Sequence, residues 1–375
     1  MKINLLVAPY RDAYFFDEYG SAVRDLQFLE TLSKVENISK ITLLNRPVSI
    51  LERILFKKPK AKRVNLPKIK TIDLTSKDLF GAIKGRAWAD DVYPSTINNL
   101  LQEYKCDDSL NIFLDFLPIG KFHPERLDGW VYWYDFIDNF TKHNRFTKKE
   151  KQLVQQKYSF ISKYADFISG VSDVCIKLNG PYEKAKTEVI SNKVFDSYGC
   201  NADLQLTEKR YDFGFIGFVT DKLDIAFIKK LSDKYSVAIF GQVMDKDVGK
   251  ILSSLDNVTT FGKFSYKEVP NICKQFKIGL LPYLAEKSHD GSPLKLYEYM
   301  KYNVPCLTSI DYEITDNSFI RNYNKSTCLE IDIKEMSSIS GNQIISKAIK
   351  PDWKLDASLN RVVINLLKLG EELHE

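Results

Sequence analysis

The chain has 375 residues, 44% apolar and 27% charged, with a formal net charge of +5. That composition excludes a disordered or low-complexity chain, and the length suffices for two domains, each with its own core. No apolar run is long enough to span a bilayer, and Met1-Lys2-Ile3-Asn4-Leu5-Leu6-Val7-Ala8 reads as a first strand rather than a signal peptide.

Cys106, Cys175, Cys200, Cys273, Cys306 and Cys328 are scattered, with no C-x-x-C pair, and the four histidines lie far apart. No metal site is expected, and reduced thiols of a cytosolic protein are the simplest reading. The charge is uneven: residues 1–190 carry a net +6 and the remainder −1. Residues 46–70 hold nine basic side chains against the single acid Glu52.

After the strand Ile3–Ala8 comes a polar and aromatic loop from Pro9 to Gly20, then a helix from Ser21 to Lys34 with Val23, Leu26, Leu29 and Leu32 near one face. Lys40 to Leu44 reads as the second strand. Val48 to Phe56 is amphipathic and runs into the cluster Lys57, Lys58, Lys60, Lys62 and Arg63. Apolar side chains beside cations suit an anionic membrane surface, so residues 50–63 are expected to bind one; a solvated basic loop is the alternative. No nucleic-acid module is present, and nucleic acid is not expected as a partner.

Gly81 to Tyr104 has helical character with a break expected at Pro94, and Leu110 to Phe116 reads as a strand. Gly129 to Tyr134 reads as another, followed by Asp135-Phe136-Ile137-Asp138-Asn139. Carboxylates just past a strand's C-terminal end stand where parallel-sheet proteins place ligands; either could instead cap a helix. A helix is expected over Lys148–Lys163, a strand over Ala165–Ser172, a strand and Asn-containing turn over Val189–Phe195, and a linker over Asp196–Lys209.

Three strand-glycine units follow: Tyr211 to Gly217, Val237 to Gly241 and Val258 to Gly262, with a helix from Asp224 to Lys234. Repeated strand, glycine and helix argues for a doubly wound sheet, and glycines at successive strand ends leave room for a nucleotide. Leu355 to Glu375 reads as a final amphipathic helix.

The most informative stretch is Asp290-Gly291-Ser292-Pro293-Leu294-Lys295-Leu296-Tyr297-Glu298-Tyr299-Met300, between the strand runs 278–283 and 303–308. Ser292 suits an N-cap and Pro293 the first helical position. Free N–H groups at such a helix end attract an anion, and Gly291 leaves space for it. Lys295 and Glu298 share a helix face, a cation for phosphate and a carboxylate for vicinal hydroxyls; a surface ion pair is the alternative.

The acid-to-Glu298 spacing, the glycine and the wording Ser-Pro-Leu-Lys-Leu-Tyr-Glu-Tyr resemble the donor-site signature of GT-B glycosyltransferases. They are similar to bacterial cell-surface polysaccharide enzymes of the teichuronic-acid and xanthan type. Tyr-Asp-x-x-Asp at Asp135 and Asp138 resembles the same group. Asp290 stands where many retaining members carry Glu.

The resemblance implies an α/β GT-B fold: two doubly wound Rossmann-like domains facing across a cleft, with a C-terminal helix crossing back to the first. The expected boundaries are 1–196 for acceptor binding, 205–354 for the nucleotide-sugar and 355–375 for the helix. It implies a metal-independent hexosyltransferase with no cofactor, taking a UDP-linked sugar as substrate. The acceptor is a glycan, lipid-linked, in capsule or O-antigen type synthesis. Such a protein works in the cytoplasm, peripheral on the inner face of the cytoplasmic membrane. The donor residues are Gly217, Gly241, Asp290, Gly291, Ser292, Pro293, Leu294, Lys295 and Glu298. Tyr19, Gly20 and Arg24 lie on the acceptor side, and Asp138, with Asp135 second, is the base. A nucleotide-sugar epimerase on the same fold, a non-catalytic glycan-binding protein, or a metal-dependent transferase using Asp245-Lys246-Asp247 are the alternatives.

Overall fold

The computed structural model describes residues 1–55, 64–76, 87–143, 145–177, 179–197, 209–287, 292–312, 314 and 318–374. They fall into two compact units, Met1–Ser191 with Asp356–Glu375, and Asn192–Ser288 with Ser292–Leu355.

The strands of the first unit are Ile3–Ala8 (β1), Ile38–Leu44 (β2), Val48–Ser49 (β3), Ile69–Ile72 (β4), Thr75–Ser76 (β5), Leu110–Asp115 (β6), Val131–Phe136 (β7), Phe167–Gly170 (β8) and Lys186–Val189 (β9). Seven form one parallel sheet in the order β4-β2-β1-β6-β7-β8-β9, while β3 and β5 pair separately. Every residue of β1, β6 and β7 is buried, as expected for strands covered on both faces. On β7, Tyr132, Tyr134 and Phe136 join the core with Val154, Tyr158 and Ile161 of the helix Lys148–Tyr164. Trp133 and Asp135 alternate to the other face, where Trp133 meets Phe28, ring centroids 6.3 Å apart.

The C-terminal helix Leu355–His374 belongs to this first unit. Its apolar stripe buries Leu359, Val362, Val363 and Leu366. Its polar side is clipped to the edge strand β9: Arg361 Nε donates to Glu188 at 2.8 Å, Asn365 to the same carboxylate at 3.1 Å, and Lys186 pairs with Glu372. The helix thereby covers a sheet edge.

The second unit has strands Tyr211–Ile216 (β10), Val237–Phe240 (β11), Val258–Gly262 (β12), Phe276–Leu281 (β13), Cys306–Thr308 (β14) and Ile320–Asn322 (β15). All pairings are parallel, in the order β12-β11-β10-β13-β14-β15. The chain winds outward from β10 to β12, then returns to the other side of β10 at β13. The order reverses between β10 and β13, and such reversals open a crevice beyond the strands' C-terminal ends.

Several local expectations are corrected. Residues 9–20 are not all loop: Asp12 caps a helix, Ala13–Tyr19, by accepting from Phe15 N. Pro94 does not break its helix, which runs Ala87–Glu103, because buried Ile97, Leu100 and Leu101 anchor the part beyond it. Of the strand and turn expected over Val189–Phe195, the strand reaches no further than Val189, at the end of β9. Asp135 lies within β7, not past its end. Pro293, not Ser292, occupies the N-cap of the helix Leu294–Lys301.

Candidate functional site

The switch point of the second unit is held open by one side chain. β10 and β13 pair as far as Gly214 and Gly279. Beyond that, Tyr299 of the helix Leu294–Lys301 inserts its hydroxyl. Ile216 N–H donates to it at 3.1 Å, and the carbonyls of Gly214 and Leu280 lie 3.3 Å from it. Backbone groups that the diverging strands would leave unpaired are thus satisfied, and the helix is pinned over the crevice.

Gly217 follows β10 and Gly241 follows β11. A Cβ on Gly241 would lie 1.6 Å from the Gly217 carbonyl oxygen, and one on Gly217 would lie 2.0 Å from Lys295 Cε. Gly217 also has φ near +131°, a region that side chains disfavour. The two glycines therefore create the slot through which Lys295 passes. Its ammonium lies 5.8 Å from the ring centroids of Phe215 and Tyr283, and no carboxylate among the described residues pairs with it. Burial pulls its pKa down to about 8.

One turn on, Glu298 is 5% exposed. Tyr266 donates to Oε1 at 2.6 Å, and Oε2 is buried with no partner among the described residues. Burial pushes this carboxyl up to about 7, against the opposing pull of Lys301 and the Tyr266 hydrogen bond. Lys301 is itself tied to the Phe195 carbonyl at 2.6 Å and to Asp196 at 3.1 Å. Asn192 donates to the Ser292 carbonyl, and the Ser292 and Tyr297 hydroxyls are 3.2 Å apart, so Ser292 has its own partners.

Gly217, Gly241, Lys295 and Glu298 are thus brought together with Ser292, Pro293 and Leu294 at one helix start. Asp290 and Gly291 lie outside the described residues. Tyr266 was not singled out as a site residue by sequence reasoning; its signal is Ser265-Tyr266-Lys267-Glu268, a capping box.

In the first unit the candidates separate. Arg24 and Asp135 are buried against each other, with bonds of 2.8 Å from Nε to Oδ1 and from Nη2 to Oδ2. Ser169 donates to the same carboxylate at 2.5 Å, and Trp133 donates to Ser169. Arg24 also covers the Phe28 ring at 4.3 Å. Neither oxygen of Asp135 is open to a reacting hydroxyl. Gly20 caps the first helix, donating to the Phe16 carbonyl with φ near +69°, and Tyr19 packs on Phe15. Asp138 is half-buried beyond the end of β7 and accepts from Asn139 N at 2.8 Å. Sequence reasoning also missed Asn45, at the C-terminal end of β2. Its Oδ1 accepts from Ala13 N, and its buried Nδ2 has no partner among the described residues.

Asp245, half of the rival Asp-x-Asp pattern, is the N-cap of the helix Lys246–Ser253 and accepts from the Asp247 and Val248 amides. Asp247 is exposed beside Lys250.

No family model matches the chain, and no curated protein matches it. Solved structures match nearly its whole length. The Candida albicans trehalose-6-phosphate phosphatase N-terminal domain is 11% identical with a TM-score of 0.62, covering 98% of this chain and 96% of that one. The Arabidopsis thaliana starch synthase IV catalytic domain, bound to ADP and acarbose, is 11% identical with a TM-score of 0.58, covering 99% of each chain. AviGT4, a glycosyltransferase of avilamycin A biosynthesis, is 10% identical with a TM-score of 0.57, covering 99% and 98%. At these identities the likeness establishes the fold: an α/β chain of GT-B architecture.

Proposed function

We propose that this protein is a glycosyltransferase that moves a hexosyl group from a nucleoside diphosphate sugar, UDP-linked, to a glycan acceptor carried on a lipid. The observation that carries the reading is the pair of unmatched charged groups at the second unit's switch point. Lys295 is a cation with no acid partner among the described residues, and Glu298 is a carboxylate with one buried oxygen unpartnered. A diphosphate over Lys295 and the first-turn N–H groups, with ribose hydroxyls on Glu298, would match both.

In this reading the developing negative charge on the departing nucleoside diphosphate is stabilised by Lys295 and the helix start. Asp138 takes the proton of the attacking acceptor hydroxyl. The resemblance of the Ser292–Tyr299 wording to polysaccharide enzymes supports an acceptor of the surface-glycan class. Among the described residues no helix is long and apolar enough to cross a membrane. The helix Ile50–Leu55 ends on exposed Ile54 and Leu55, which supports peripheral attachment. Lys57 to Arg63, the basic part of that segment, lie outside the described residues.

A thermal-shift screen of UDP, ADP, GDP and dTDP and their sugars tests the donor site. Stabilisation by one nucleotide, with transfer to a lipid-linked oligosaccharide that persists in EDTA, is expected. No stabilisation by any of them would sink the reading. Interconversion of the nucleotide-sugar without acceptor would instead identify an epimerase.

A further inference from the structure

We propose that Tyr266 is a positioning residue for Glu298: its hydroxyl occupies Oε1 so that Oε2 is presented, ionised, to the donor's ribose hydroxyls. The role rests on the donor-site reading above.

The geometry leaves little freedom. An ionised carboxylate only accepts, so the 2.6 Å contact has Tyr266 O–H as donor. Tyr266 is fixed in turn: it opens a short turn, Tyr266–Glu268, locked by the reciprocal bonds of Ser265 and Glu268. Its ring is buried, 5.9 Å from that of Phe195. Phe195 is held by Lys301, from the same helix as Glu298. The carboxylate is therefore oriented from one side, and its second oxygen has no partner among the described residues.

Among the described residues, the charged and titratable groups around Glu298 are few. Tyr266 faces it from the short turn, Lys301 from its own helix, Asp196 from the segment after Val194, and Cys273 from the helix Val269–Cys273. Burial and Asp196 favour the protonated carboxyl; Lys301 and the Tyr266 bond favour the ionised one. Burial pushes the Cys273 thiol up, so it stays neutral. Removing the Tyr266 hydroxyl deletes one of the two stabilising influences. Glu298 should then hold its proton to higher pH, and a protonated carboxyl loses much of its capacity to accept from a diol.

The test is Tyr266→Phe, with the nucleoside diphosphate that binds in the screen as probe. Calorimetry from pH 6 to pH 9.5 should show a loss of about tenfold at pH 6, falling to about fivefold near pH 7 and vanishing as pH rises further, because one unit of pKa is a factor of ten well below both midpoints. A loss equal at every pH, as a purely structural role would give, overturns the proposal. A second readout needs no nucleotide. The carbon-13 resonance of the Glu298 carboxyl should titrate near 7 in the wild type and higher in Tyr266→Phe. An unmoved midpoint overturns the role of Tyr266 and leaves the donor site standing. A moved midpoint in a protein that binds no nucleotide overturns the donor site, and this role with it. If Tyr266→Phe does not fold, difluorotyrosine at position 266, a stronger donor of similar shape, should move the midpoint down; no movement overturns the proposal.

Discussion

Arg24 grips Asp135 through two parallel bonds of 2.8 Å, although 111 residues separate them. The pair ties the helix Arg24–Leu32 to the centre of the first sheet, and both residues are at most 4% exposed. Removing one partner strands the other charge in the core. Arg24→Ala should lose about 3–5 kcal/mol of stability in urea unfolding, whereas replacing both partners with apolar residues should cost far less. Nucleotide affinity in the folded single mutant should be unchanged. A loss under 1 kcal/mol would show that the pair is not buried as described.

Donor affinity should peak between about pH 7 and pH 8. Glu298 accepts from a diol most strongly when ionised, above about 7, and Lys295 attracts a diphosphate only when protonated, below about 8. Affinity therefore falls on both sides. Glu298→Gln should flatten the acid limb and Lys295→Met the alkaline one, by calorimetry against the same nucleotide. A single-limbed profile in the wild type would remove one residue from the site.

The empty protein should show the opposite dependence. Glu298 loses its proton near 4.5 when unfolded and near 7 when folded. Between those values the folded chain binds more protons, so stability falls as pH rises. The loss approaches about 3 kcal/mol above pH 7. Asp25, buried and pushed up to about 6, adds a slope of the same sign at lower pH. Glu298→Gln should thus be more stable than wild type at pH 8, and no more stable at pH 5, while binding the nucleotide at least tenfold more weakly. Equal stability at pH 8 would contradict the buried, unpartnered oxygen.

The strands are largely legible in the sequence because parallel strands buried on both faces are near-continuous apolar runs; Ile3–Ala8 and Val237–Phe240 are such runs. Helix starts are less so. Ser292 has the chemistry of a cap, but its hydroxyl meets Tyr297 and its carbonyl meets Asn192, and the proline takes the cap position. The Asp135 carboxylate has no local mark of burial. On a strand covered on both faces, alternation cannot separate an inward acid from one at the strand's end, and its partner is a helix start far away in sequence. Lys295 and Glu298 are legible because three residues on a helix set a shared face. Tyr266 is not, because the contact that gives it meaning spans 32 residues.

Membrane attachment is expected through residues 50–63. Ile54 and Leu55 are 67% and 64% exposed, and a basic run follows them in the sequence. Anionic vesicles should bind the protein, and binding should weaken with salt. Replacing Lys57, Lys58, Lys60 and Lys62 by Gln should release it in co-sedimentation, and Ile54→Ser with Leu55→Ser should weaken it at high salt as well. Equal binding of wild type and both variants would reject the attachment.

The proposed transfer needs a base, and burial separates the two acids that the sequence offers. Asp135 has both oxygens committed to Arg24 and Ser169. Asp138 is half-buried, past the end of β7, where side chains project beyond the sheet's C-terminal edge. Its Oδ1 accepts from Asn139 N. Asp138→Asn should lower the transfer rate by a factor on the order of 10² or more while leaving nucleotide affinity unchanged, because a carboxamide keeps the shape but cannot take the proton. Asp135→Asn should act differently: it weakens the grip of Arg24 and lowers the unfolding midpoint. Both quantities are needed on both mutants. Near-normal turnover in Asp138→Asn would remove it as the base. If Asp135→Asn then stayed folded and active, the carboxylate spacing Asp290 to Glu298 would point to a retaining transfer, which has no need of a base on the first unit.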